Sequence, residues 1–237
     1  MYTVEKFKDD LLGAMKDNIV SMALFGSAAV DDATKRYSDV NTLLVVQDAG
    51  LATLNVMAPF VHRWSRQGNP PPLVFSLTAL RNSQDVFAIE FFDILSTHRM
   101  LHGEDPFSGI VPGRDALRHQ LEYELRSKLL ALQKNYFAAA GNAKSLRDLM
   151  AKSLSSFTVL AKTILHLAAT PVPAKKADVW AAMGDLLHID TGVVNTIFDI
   201  REDKKDALQR DPYVLFGEYL ALLNRVAEYV DRFGSKK

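Results

Sequence analysis

The sequence predicts an α+β fold: a small mixed sheet with flanking helices over residues 1–110, followed by an all-helical domain over residues 111–237. Three observations carry this. Short β-branched or aromatic apolar runs at 19–25, 40–46 and 73–77 all fall in the first third of the chain. Amphipathic helical periodicity precedes the first run and separates the second from the third. Beyond Gly109, Pro112 and Gly113, apolar residues recur at helical spacing to the end.

The elements follow in order. Val4, Phe7, Leu11, Leu12 and Met15 define an amphipathic helix over 3–16, ended by Asp17-Asn18. Ile19–Phe25 is a strand closed by Gly26-Ser27, and a polar loop holding Asp31, Asp32, Lys35 and Arg36 leads to a second strand at Val40–Val46. That strand is nearly all apolar, as expected when both faces of a sheet are covered. A helix over 49–66 is broken by Gly68-Asn69 and the prolines at 70–72, and Leu73–Leu77 is a third strand. Asp85 to Met100 carries Phe87, Ile89, Phe91, Phe92, Ile94 and Leu95, a density that fits either strand or helix. In the second half, Leu117, Leu121, Leu125, Leu129 and Leu132 form one long stripe. Helices are expected over 144–168, 175–187, 192–201 and 213–233, the last opened by an Asp211-Pro212 cap.

Composition narrows the function classes. Of 237 residues, 48% are hydrophobic and 24% charged, the profile of a folded globular chain. The 28 basic and 28 acidic side chains balance, so charge gives no indication of a nucleic-acid partner. The absence of cysteine excludes disulfides, thiolate nucleophiles and cysteine-ligated zinc. The N-terminus is charged from Glu5 and lacks a signal-peptide core, and no apolar run is long enough to span a bilayer. A cytoplasmic location without membrane association is expected.

One constellation carries chemistry. Leu24-Phe25-Gly26-Ser27 is followed, after eleven intervening residues, by Asp39-Val40-Asn41 leading into an apolar strand. A glycine at a strand end lets backbone approach a triphosphate, and a serine hydroxyl with neighbouring N–H groups can donate to phosphate oxygens. Residues two apart on a strand point to one face. The pattern resembles the signature of the DNA polymerase beta-like nucleotidyltransferase superfamily. Asp85-Val-Phe-Ala-Ile-Glu90-Phe and Leu101-His-Gly103-Glu104-Asp105-Pro106 are similar to segments of bacterial nucleotidyltransferase-like proteins.

The resemblance covers roughly the first 107 residues and implies binding of a nucleoside triphosphate with Mg²⁺. It also implies transfer of a nucleoside monophosphate to an acceptor, which the sequence does not name. Gly26, Ser27 and Ser38 would contact nucleotide, while Asp39 and Asn41 would be the catalytic and metal-holding pair. The sequence departs from the family at two carboxylates. Asn41 stands where a second aspartate is expected, and no acidic residue lies between 70 and 84 to supply the third. Three carboxylates bring about −3 against two Mg²⁺ ions, whereas this set brings about −1. The alternative is therefore a catalytically inactive nucleotidyltransferase fold, a pseudoenzyme serving as a binding or regulatory module for a protein partner. Glu90 or Asp93 could replace the missing carboxylate if their segment were a sheet strand.

Weaker patterns are weighed beside it. Arg114 to His119 resembles the Arg-polar-x₃-His motif of HEPN-type helical ribonucleases. Arg118/Glu122/Arg126 and Glu124/Lys128 sit four apart, the spacing of paired charges on a solvated helix face.

Overall fold

The computed structural model describes residues 2–29 and 40–233, without the side chain of Ser27. The chain divides into two compact units, Met1–Gly113 and Arg114–Lys237.

The first unit is an α+β layer structure around a four-stranded mixed sheet. Helix α1 (Val4–Met15) opens with Thr3, whose hydroxyl accepts from the Lys6 N–H at 3.2 Å. Strand β1 (Ile19–Phe25) runs antiparallel to β2 (Asn41–Val46) and, on its other side, to β4 (Arg99–His102). Between β2 and the parallel strand β3 (Leu73–Ser76) the chain crosses over through α2 (Leu51–Ser65), giving the sheet order β3-β2-β1-β4.

Alternation along the strands sorts their side chains into two cores. Met22, Leu44 and Val46 face α1 and α2, where Phe7 stacks on Trp64 with ring centroids 4.7 Å apart. The Trp64 indole N–H reaches the Pro70 carbonyl at 3.0 Å and ties the proline run to α2. Leu43 and Val45 face the opposite layer, built from α3 (Leu77–Asn82), α4 (Ala88–Thr97) and Phe107.

The ambiguous segment 85–100 resolves into two elements. Ala88, Phe91, Ile94 and Thr97 are buried at helical spacing, so most of the apolar run is α4. The chain then turns at His98 into the edge strand β4. Edge strands are short because they have one pairing side, and four residues leave little pattern to read.

The described residues of the second unit form six helices: α5 (Arg114–Ala139), α6 (Ala143–Leu167), α7 (Lys176–Leu187), α8 (Gly192–Arg201), α9 (Lys205–Gln209) and α10 (Pro212–Phe233). Their core is α6, on which α5, α7, α8 and α10 all pack. Two buried polar pairs fix the register. The Trp180 indole donates to the Thr158 hydroxyl at 2.9 Å, and the Tyr219 hydroxyl lies 3.2 Å from that of Ser153. Complete burial holds the Tyr219 phenol above its ordinary pKa. Asp211 caps α10, accepting from the Tyr213 N–H at 2.7 Å. Among the described residues, no helix is long and apolar enough to cross a membrane.

Candidate functional site

At the end of β1 the chain leaves the sheet through a single 3₁₀ turn, Gly26–Ala28, with Gly26 at φ +73°. That conformation suits glycine. The partner of Phe25 across the ladder is Asn41, the first residue of β2, so the turn and the start of the second strand lie side by side. A Cβ on Gly26 would stand 3.3 Å from Asn41 Nδ2. Asn41 and Phe25 share the sheet face covered by α4, where Phe25 packs on the Leu43/Val45 core.

The third component comes from α4. The Gly26 N–H donates to the Thr97 hydroxyl at 3.0 Å, and that hydroxyl donates to the Asp93 carbonyl at 2.8 Å. The last turn of α4 thus clamps the glycine, and the N–H of Gly26 is spent on protein. The remaining turn donor without a partner inside the turn is the Ser27 N–H, because a 3₁₀ turn bonds i to i+3. Asp39 and Ser38 lie outside the described residues. Of the expected set, Gly26 and Asn41 are brought together, with Ser27 next in the turn.

The missing carboxylate is not supplied by the sheet. In the parallel pair, Leu43 stands beside Leu73, and the chain entering β3 alongside Asn41 is the run Pro70-Pro71-Pro72. The expectation that Glu90 or Asp93 could serve from a strand does not hold, since both belong to helix α4. There Glu90, Asp93 and Thr97 share one side at i, i+3 and i+7 spacing. Both residues already interact with other groups. Among the described residues, no three His, Asp or Glu side chains converge as a metal-binding group. Of the expected ligands, the described residues supply the Asn41 carbonyl oxygen, too few for a two-metal centre.

The Leu101–Pro106 segment has a structural explanation. Gly103 adopts φ +72°, and a Cβ there would stand 2.2 Å from the Val20 carbonyl oxygen. Asp105 accepts from the Phe107 N–H at 2.9 Å and faces His98 Nε2 at 3.1 Å. This turn drives Phe107 into the core under α4, 6.1 Å from the Phe91 ring. Sequence reading missed Thr97, because its role rests on one tertiary hydrogen bond to Gly26 and not on a repeat along the helix.

The other patterns resolve into local bonds. Arg114 donates to the Leu167 carbonyl at 2.7 Å and so caps the end of α6, while Arg118 meets His119 Nε2 at 2.8 Å. Lys128 pairs with Glu124 at 3.1 Å, and Arg126 pairs with both Glu122 and Asp231. A groove of about 390 Å³ between the α7–α8 turn and α10 is lined by His188, Asp190, Glu218 and Arg225. Its mixed charge selects no ligand class. Compared with family models the chain matches none, and no curated protein is similar to it.

Proposed function

We propose that this chain is a nucleotidyltransferase-like protein that binds a nucleoside triphosphate, with one Mg²⁺ ion, at the turn closing β1. The carrying observation is the pairing of Phe25 with Asn41, which sets the Gly26-Ser27 turn against the start of β2. In this reading the Ser27 N–H faces phosphate, and Asp39 with Asn41 steadies an ion that arrives with the triphosphate. When bound, that ion would neutralise phosphate charge. Gly26 contributes by leaving room and not by donating, because Thr97 holds its N–H. The nucleotidyltransferase-type fold of the first unit and the role of the second as its accessory helical domain belong to the same proposal.

A second reading has its own support. Beside Asn41 the third strand is entered through prolines, and the full carboxylate count is not met. Transfer to an acceptor would need charge that this set does not bring. The chain is then a module that keeps nucleotide binding and has lost the reaction. Titration calorimetry with ATP, GTP, CTP and UTP, with and without Mg²⁺, combined with a pyrophosphate-release assay, tests both. Binding that Asp39→Ala weakens supports the proposal, and pyrophosphate release abolished by the same substitution makes the chain an enzyme. Absence of binding to all four nucleotides overturns both readings.

A further inference from the structure

Helix α5 is apolar on two opposite sides. Leu117, Leu121, Leu125, Leu129 and Leu132 are buried against α6 and α10. Tyr123, Leu130 and Phe137 are 70%, 67% and 79% exposed. Each outer residue precedes an inner one by two positions: Tyr123 before Leu125, Leu130 before Leu132, Phe137 before Ala139. Two residues correspond to about 200° around an α-helix, so the outer stripe points away from the core. Scattered exposed apolar residues are ordinary, but three large ones at strict heptad spacing form a seam.

We infer that this seam is a homodimer interface in which α5 packs antiparallel against α5 of a second copy about a two-fold axis at Leu130. The spacing is self-complementary: Leu130 meets the partner's Leu130, and Tyr123 meets the partner's Phe137 at both ends, as an isologous contact requires. A socket waits there. Phe137, Tyr136, Tyr213, Phe216 and Leu220 line a cavity of about 480 Å³ beside the stripe, ample for a tyrosine ring from the partner.

Area agrees with self-association of this kind. The three seam side chains bring roughly 400 Å² per copy. The partly exposed Tyr213 and the polar flanks Gln133 and Lys134 raise this toward the ~800 Å² per partner of a standard interface.

The chain contains no cysteine, so single introduced cysteines report this geometry without background. The full-length protein is expected to sediment at twice the chain mass at micromolar concentration. Leu130→Glu, at an exposed site, is expected to sediment as a monomer with an unchanged circular dichroism spectrum and melting curve. Under mild oxidation Leu130→Cys crosslinks to itself. Phe137→Cys does not, because the two copies of residue 137 stand about 21 Å apart along the seam. A mixture of Tyr123→Cys and Phe137→Cys crosslinks as the heterodimer. A monomeric wild type, failure of Leu130→Cys to crosslink, or self-crosslinking of Phe137→Cys overturns the proposal.

Discussion

Replacing Gly103 by alanine tests whether β4 is held to the sheet by close backbone approach. Gly103 sits at φ +72° immediately after β4, and an added Cβ would lie 2.2 Å from the Val20 carbonyl oxygen, 3.0 Å from Ser21 Cα and 3.1 Å from Ser21 Cβ. Two costs add. Holding a residue with a Cβ in the left-handed region costs roughly 1–2 kcal/mol. Pushing packed backbone aside costs a further ~1–3 kcal/mol, because Val20 belongs to a central strand and cannot swing away. Together they give about 2–5 kcal/mol, a large share of what a domain of this size has to lose. Gly68 is the control: its φ is +88° but a Cβ there meets nothing within 4 Å, so Gly68→Ala bears the conformational cost alone. Urea unfolding followed by tryptophan emission in a Trp180→Phe background isolates the first unit, since Trp64 is then the sole indole. The reasoning fails if Gly103→Ala lowers the midpoint no further than Gly68→Ala does.

Other outcomes follow from the same geometry. Thr97→Val removes the acceptor of the Gly26 N–H and is expected to cost about 1–3 kcal/mol by urea unfolding, while Thr97→Ser, which keeps the hydroxyl, recovers most of it. A larger loss in Thr97→Ser than in Thr97→Val would show that the methyl, not the bond, matters. Burial, then the hydrogen bond to Asp10, push the Tyr2 phenol up to about 12. A raised pKa means the folded state keeps the proton longer, so this stabilisation is fully present below pH 10 and lost as pH rises through 12. Melting curves across that range should fall more steeply for wild type than for Tyr2→Phe, and parallel curves would contradict the assignment.

Much of the fold was legible because the strands are apolar on both faces and their ends are punctuated. Ile19–Phe25 stops where Gly26 takes a positive φ, and Leu73 follows three prolines, so both boundaries could be read from residue types. Helix α4 and strand β4 could not be separated, because Ala88 to Leu95 is densely apolar and the helical period emerges only when burial is known. The short α3 and α9 escaped for a related reason: five or six residues hold less than two turns of pattern. At the site, spacing was sufficient to pair the Gly26 turn with Asn41, since two strands joined by one loop form an antiparallel ladder. Thr97 was not readable. It arrives from 71 residues away, and its hydroxyl acts through a single tertiary hydrogen bond that leaves no periodic trace.

The proposed site requires the Asn41 position to hold a cation that accompanies a nucleoside triphosphate. Asn41→Asp restores a second carboxylate without changing side-chain volume, and a gain in binding cannot be produced by misfolding. Titration calorimetry of wild type and Asn41→Asp with nucleoside triphosphates, with and without Mg²⁺, reads it directly. The account predicts Mg²⁺-dependent binding that Asn41→Asp tightens by on the order of tenfold, about 1.4 kcal/mol, with little change in the absence of the metal. Equal affinity of the two proteins in Mg²⁺, or binding indifferent to Mg²⁺ in both, would contradict it.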